Sequence, residues 1–329
     1  MRAWRVHELG EPTDVLRLDE VEPPTPGPGE VAIDVAAAAL NFPDVLLCRG
    51  EYQEKPALPF TPGVEVSGTV AAVGEGVKGL APGDRVLAAP SFRTGGLTER
   101  TIAAAATTYP IPDTMPMPSA AALHITYQTG YLALHRRAAI QPGETLLVHA
   151  GAGGVGSAAI QLGLAAGVRV FATAGGPEKT EVCRKLGAEL VVDYLAEDFV
   201  DAVKEATQGR GADVIYDPVG GDTFDRSRKC IAFEGRILVI GFTSGRIPEA
   251  PANHVLIKNY SVVGVHWGLY NRLAPHVPHE IHAELIRLYQ EGRIDPLVSQ
   301  VLPMERAPEA LKALGSRGTV GKVVVQISS

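Results

Sequence analysis

The stretch LLVHAGAGGVGSAAIQLG, Leu146 to Gly163, sets Gly151, Gly153 and Gly156 between an apolar run and a helix-like run. Glycines at this G-x-G-x-x-G spacing let the backbone turn tightly and approach a pyrophosphate, whose charge then meets N–H groups at the helix start. A bare strand-to-helix turn is the alternative, and the surroundings weigh against it. The strand-like runs TLLVHA, RVFATA, ELVVDY, DVIYDP and RILVIGF alternate with the helical segments AAIQLGLAAG, PEKTEVCRKLGA, EDFVDAVKEAT and TFDRSRKCIA. Continuous apolar strands joined by crossover helices predict a parallel sheet covered on both faces, an α/β doubly wound domain. A further strand in YSVVGVHWG closes this unit near Trp267.

Upstream the texture differs. From Met1 to about Pro118, short β-type runs (EVAIDVAAAAL, VEVSGTVAAVG, DRVLAA) alternate with the turn clusters PGPGE, GEG and APGD, predicting a compact, mostly antiparallel β domain. AALHITYQTGYLALH then reads as a helix. After Trp267 come the helix HEIHAELIRLYQEG and the segments LVSQVL, PEALKALGS and KVVVQI. This tail is too short to fold alone, so it is expected to complete the first domain. The expected organisation is residues 1–118 with 267–329 in one domain and 119–266 in the other.

At 329 residues and 34.7 kDa the chain exceeds one comfortable core, consistent with two domains. A net charge of -7 argues against nucleic acid or an anionic membrane as the main partner, so an anionic ligand needs a local basic pocket. No apolar run reaches the roughly 18 residues of a spanning helix, and Met1–Arg5 lead into charge and Pro12 rather than a signal core. A cytoplasmic location is expected. Cys48, Cys183 and Cys230 form no framework and no Cys-x-x-Cys pair, which fits a reducing compartment.

Several segments carry a resemblance over essentially the whole chain: NFPDVLLCRGEY, LPFTPGVEVSGTV, APGDRV, the AGAGGVG loop followed by Gln161, NYSVVGVHWG and the closing GTVGKVVV. The sequence resembles the zinc-free, zeta-crystallin-like quinone oxidoreductases of the medium-chain dehydrogenase/reductase superfamily. Leu164 departs from a family signature that usually has a basic or small polar residue there. The resemblance implies a GroES-like, β-rich catalytic domain beside a Rossmann NADP-binding domain.

The end of the second strand bears on which nicotinamide is held. FATAGGPEK, Phe171 to Lys179, offers no acid until Glu178. An Asp or Glu there would accept from a ribose 2'-hydroxyl, so its absence leaves room for a 2'-phosphate. Pro177 reads as the first helical position, which places Lys179 in the opening turn. Alone, Lys179 reads equally as a solvated charge, Tyr194 as an edge aromatic and Arg317 as a loop charge. The resemblance implies that a lysine, a tyrosine after the third strand and an arginine near the C-terminus hold the 2'-phosphate, and these three residues supply them, favouring NADPH. Further cofactor contacts implied are Asn41, Thr126, Gly154 and Val155, Gly175, the run Gly241-Phe242-Thr243, and Val265, His266 and Trp267.

Zinc-dependent relatives show a Gly-His-Glu motif and catalytic cysteines. Here Gly63-Val64-Glu65 replaces the first, and Asn41 stands where the first cysteine would be, so no metal is expected. His276, His279 and His282 could set two imidazoles on one helical face, but they read as exposed histidines at a helix start. For the chemistry, the resemblance points to Asn41, Asp44 and Tyr52, with the Tyr52 phenol placed to hydrogen-bond a carbonyl or donate a proton. The alternatives are an Asn41 that caps a turn and a Tyr52 that packs a loop. The activity implied is NADPH-dependent, zinc-independent hydride transfer to quinones or related α,β-unsaturated carbonyls. Its rivals are a 2-enoyl thioester reductase and a non-catalytic, crystallin-like NADPH-binding protein. A homodimer formed by edge pairing near Tyr260–Val265 is also expected from the resemblance.

Overall fold

The computed structural model describes residues 1–316 and 318–328. The chain divides into two compact units, Met1–Ile125 with Pro296 onward, and Thr126–Asp295.

In the first unit, β1 (Arg2–Val6) and β2 (Leu16–Glu20) form an antiparallel ribbon. The strands β3 (Glu30–Ala39), β4 (Val66–Val73), β5 (Arg85–Pro90) and β6 (Arg100–Pro110) follow in antiparallel succession, and β6 pairs back onto β3. That return pairing removes free edges from this part of the sheet. Val31, Ile33 and Val35, two apart on β3, send their side chains to one core with Val66, Val70 and Val86, as the period of a strand requires. Helix α1 (Phe42–Arg49) starts at Asn41, carries Pro43 in its first turn and ends at Gly50, whose φ of 71° closes the helix in the left-handed region. Helix α2 (Met117–Tyr131) follows β6, and the boundary after Ile125 falls within it.

The second unit alternates β7 (Thr145–Val148), α3 (Gly154–Ala165), β8 (Arg169–Ala174), α4 (Pro177–Lys185), β9 (Leu190–Asp193), α5 (Phe199–Ala206), β10 (Ala212–Asp217), α6 (Gly221–Ser227), β11 (Ile231–Val239), α7 (Ala252–Lys258) and β12 (Ser261–Gly264). Every pairing is parallel, in the order β12-β11-β10-β7-β8-β9, so the order reverses between β10 and β8 around the central β7. Ligands of such sheets sit outside the carboxyl ends of the strands at that reversal. Helix α8 (His276–Gln290) ends the unit. The chain then returns to the first unit with β13 (Val298–Pro303), α9 (Ala307–Gly315) and β14 (Lys322–Gln326), where β14 lies parallel to β13 and antiparallel to β3.

Both expected domain boundaries, after residues 118 and 266, lie earlier than the structural ones. Helix α8, assigned from the sequence to the first domain, stays with the second because bonds between residues far apart in the chain tie it and the segment after it to that unit. Gln128 Nε2 donates to Pro278 O at 3.1 Å, and Gln161 exchanges two hydrogen bonds with the Asp295 backbone at 2.8 and 2.6 Å. Ile281, Leu285 and Leu288, at helical spacing, are buried. The first unit also contains the long strand β6, whose alanine- and threonine-rich sequence carries few of the bulky residues that announce a strand, Ile102 and Tyr109 among them.

Candidate active site

The predicted phosphate loop joins β7 to α3, and its three glycines do two different jobs. A side-chain carbon on Gly156 would lie 2.2 Å from Ala150 O, and one on Gly151 would lie 2.8 Å from Cys183 Sγ, so both positions need glycine for the loop to pack. A carbon on Gly153 would meet only Ala150 O, at 3.3 Å. Gly153 is the least crowded of the three, as expected for a backbone that something else can approach. Gly153 is also the N-cap of α3, and no side chain caps that helix. Together with Gly154 and Val155 this makes an N-terminus suited to a phosphate anion. The residues present therefore fit a dinucleotide. His149, just before the loop, is buried between Thr173 Oγ1 at 3.0 Å and Ser227 Oγ at 2.8 Å. Burial, reinforced by Arg226, pushes its pKa down to about 3, so it is a neutral strut.

At the end of β8, Gly175 leads to Gly176, the N-cap of α4, with Pro177 in the first turn as predicted. The carboxylate of Asp193 accepts from Gly176 N at 2.9 Å and Leu195 N at 3.0 Å, fixing this rim. The Tyr194 ring lies against Gly175, where an added side-chain carbon would sit 2.6 Å from the phenol oxygen. Lys179 is half-buried in the first turn of α4, and Tyr194 is exposed. Structure thus brings Gly175, Lys179 and Tyr194 to one rim, while Arg317 lies outside the described residues. Gly241, Phe242 and Thr243 follow β11, and Thr243 is tied by its N–H and hydroxyl to Pro218 O at 3.1 Å. Val265 N bonds Val239 O at 3.1 Å, and Trp267 Nε1 donates to Gln128 Oε1 at 3.1 Å, close in sequence to the buried Thr126. His266 is exposed.

The first unit gathers a different kind of site. Asp44, in the first turn of α1, accepts from Asn41 N at 2.8 Å and from Gly63 N at 2.9 Å. Gly63 has φ 106°, and a side-chain carbon there would lie 2.8 Å from the Gly96 and Leu97 backbone, so only glycine brings this N–H to Asp44. The Asn41 amide donates to Glu65 Oε1 at 2.8 Å and Ala39 O at 3.1 Å, and its oxygen accepts from Lys322 Nζ at 2.8 Å. Lys322 also pairs with Glu65 at 2.6 Å. Burial pushes the Asp44 carboxyl up to about 7, opposed by its two backbone donors and by Lys322. Tyr52 is half-buried against the same core, and burial first, then Asp44, raises its pKa, which keeps the phenol a proton donor. Asn41 and Asp44 are thus joined in one cluster, with Tyr52 nearby. Glu65 and Lys322 were not read as site residues. Glu65 was visible only as the acid after Val64, and Lys322 sits in an apolar strand, which was a signal that it needs a buried partner.

Among the described residues, no group of three His, Cys, Asp or Glu side chains is placed to hold a metal ion. Of the histidines in HVPHEIH, His282 is buried, unlike the exposed helix-start residue expected. Among the described residues no helix is long and apolar enough to cross a membrane.

Comparisons with known proteins agree with this layout. Residues 27–113 match the alcohol dehydrogenase GroES-like domain, and residues 154–289 match the domain described as zinc-binding dehydrogenase. A quinone oxidoreductase-like protein 2 homolog from Nematostella vectensis is 39% identical over 98% of this chain and 88% of its own length. A mycobacterial protein solved with NADPH is 34% identical, with a TM-score of 0.92 over 99% of this chain and 100% of its own. The Escherichia coli quinone oxidoreductase, solved with NADPH, is 31% identical, with a TM-score of 0.91 over 99% of this chain and 100% of its own. With a GroES-like domain, a six-stranded Rossmann-like sheet and relatives of this similarity along its whole length, the chain belongs to the quinone oxidoreductase family of the medium-chain dehydrogenase/reductase superfamily.

Proposed function

We propose that this oxidoreductase uses NADPH and transfers hydride, without zinc, to quinones or related α,β-unsaturated carbonyls. The observation that carries the reading is the bare backbone at Gly153 over an uncapped helix, beside a β8 end with no acid before Glu178. Gly151 to Gly156 would hold the pyrophosphate, and Lys179, Tyr194 and Arg317 the 2'-phosphate. The relatives solved with NADPH support that preference. The bound nicotinamide supplies the hydride. The chain's own residues supply position and a proton: Asn41 borders the cofactor, and the Tyr52 phenol donates to the acceptor oxygen as charge develops there.

The zinc-free part of the reading rests on the first unit. Both N–H groups of the Asn41 amide are spent within the protein, and its oxygen already holds an ammonium. Val64 offers no ligand. We also place the protein in the cytoplasm as a homodimer. The strand β12 ends its sheet, and Phe233 on β11 and Leu256 and Ile257 on α7, 72%, 79% and 79% exposed, belong to the neighbouring elements of the same unit, where a second copy would cover them.

A panel of acceptors assayed by NADPH consumption in the presence of a chelator tests the reading. Turnover with a quinone or enone, undiminished by chelator, is expected. Turnover with only an enoyl thioester selects the rival enzyme, and NADPH binding without turnover on any acceptor selects a non-catalytic role.

A further inference from the structure

A lysine whose side chain is enclosed by protein, at the start of a strand of valines, requires an explanation. Lys322 opens β14 and is 4% exposed. Its ammonium has three N–H donors, and all are used: Leu40 O at 2.8 Å, Asn41 Oδ1 at 2.8 Å and Glu65 Oε1 at 2.6 Å. Glu65 is fully buried, and its second oxygen accepts from Ile125 N at 2.7 Å. Such a pair loses so much hydration that well-packed apolar side chains of similar volume are often no less stabilising. Stability alone is therefore a weak reason for it.

We infer that Lys322 is a positioning residue that, with Glu65, fixes the orientation of the Asn41 side-chain amide. The two charges lie on opposite ends of that amide: the ammonium faces Oδ1, and the carboxylate faces Nδ2. Rotating the amide by half a turn would set N–H groups against the ammonium and the oxygen against the carboxylate. Both contacts would be repulsive, in a place where water cannot screen them. A neutral pair of hydrogen-bonding partners would hold the same amide less firmly, since bonds to charged groups are about twice as strong. With both N–H groups directed inward, the only capacity Asn41 retains for a ligand is the remaining lone pair on Oδ1, polarised by the ammonium. Residues 281 apart in the chain are brought together for this purpose, and the same carboxylate anchors the amide of Ile125, the residue before Thr126.

This inference rests on the proposed contact between Asn41 and the cofactor, and the test separates the two. The measurements are kcat with a quinone, NADPH affinity, and the side-chain amide NMR signal of Asn41 in Lys322→Met, Asn41→Ala, the double variant Lys322→Met/Asn41→Ala and the charge-removed pair Lys322→Met/Glu65→Gln. Lys322→Met is expected to lower kcat about tenfold or more while NADPH affinity stays within about threefold. Combined with Asn41→Ala it should add no further loss, because it acts through that residue. The charge-removed pair should recover thermal stability yet remain slow with a broadened amide signal, and it carries the test if Lys322→Met alone does not fold. Additive losses, or parental kcat in the charge-removed pair, would overturn the inference. If Asn41→Ala keeps the parental kcat, the proposed contact fails. The positioning inference is then decided by the amide signal, and a signal unchanged by Lys322→Met overturns it.

Discussion

The phosphate loop of the second unit and the Asn41 cluster of the first do their work by opposite means. The loop relies on what is missing: bare glycines and backbone N–H groups within six residues, Gly151 to Gly156. The cluster relies on side chains drawn from residues 41, 65 and 322, which bond one another, and on Asp44, held by the backbone N–H groups of Asn41 and Gly63. The first kind of site is local and forgiving of its surroundings. The second fails as a unit, because removing one member leaves its partners buried without compensation.

The largest expected effect tests that cooperativity. Lys322→Met should destabilise the fold by about 3 to 5 kcal/mol in denaturant unfolding, through the stranded Glu65 carboxylate, and adding Glu65→Gln should restore much of it. A double variant no more stable than the single one would mean that packing, not the pair, is what matters. Next come the glycines, which the structure separates. Gly156→Ala should cost about 3 kcal/mol, since its new carbon would lie 2.2 Å from Ala150 O. Gly153→Val should leave the melting temperature near that of the parent but weaken NADPH about a hundredfold by calorimetry. Equal behaviour of the two variants would erase the distinction between packing and ligand glycines.

This contrast also explains what the sequence disclosed. The G-x-G-x-x-G spacing and the alternation of apolar strands with helices are short-range features, and they predicted the parallel sheet and the α4 start at Pro177, although the helical reading of TFDRSRKCIA ran into β11 and α7 went unread. The cluster was legible only where a family motif passed through it, at Asn41, Asp44 and Tyr52. Glu65 and Lys322 are ordinary letters until β14 pairs with β3 and brings them together. The fate of α8 was illegible for the same reason, since bonds such as that from Gln128 to Pro278 O span long stretches of chain.

A smaller effect sharpens the cofactor side. Lys179→Ala should weaken NADPH by about 1.5 to 3 kcal/mol and NADH far less, the value of one charge-assisted contact to the 2'-phosphate. Equal losses would remove Lys179 from that role. A further expected effect is a pH dependence in the first unit. The folded-state pKa of Asp44, about 7, lies above its unfolded value of 3.8, so its stabilising contribution is present in full below the unfolded value and is lost as pH rises toward about 7. The stability difference between parent and Asp44→Asn should therefore shrink between those limits and level off above them in pH-dependent unfolding. A difference that grew with pH would place the carboxylate's charge, not its proton, in the folded state.

In the proposed function most cofactor contacts come from the second unit, and the proton donor comes from the first. That division is tested most directly by measuring NADPH affinity and kcat side by side for Tyr52→Phe with a demanding enone as acceptor. The account predicts unchanged affinity and a kcat about tenfold to a hundredfold lower, the loss of one donor to developing charge. Parental kcat on every acceptor, or a collapse of NADPH affinity equal to the loss in rate, would contradict it.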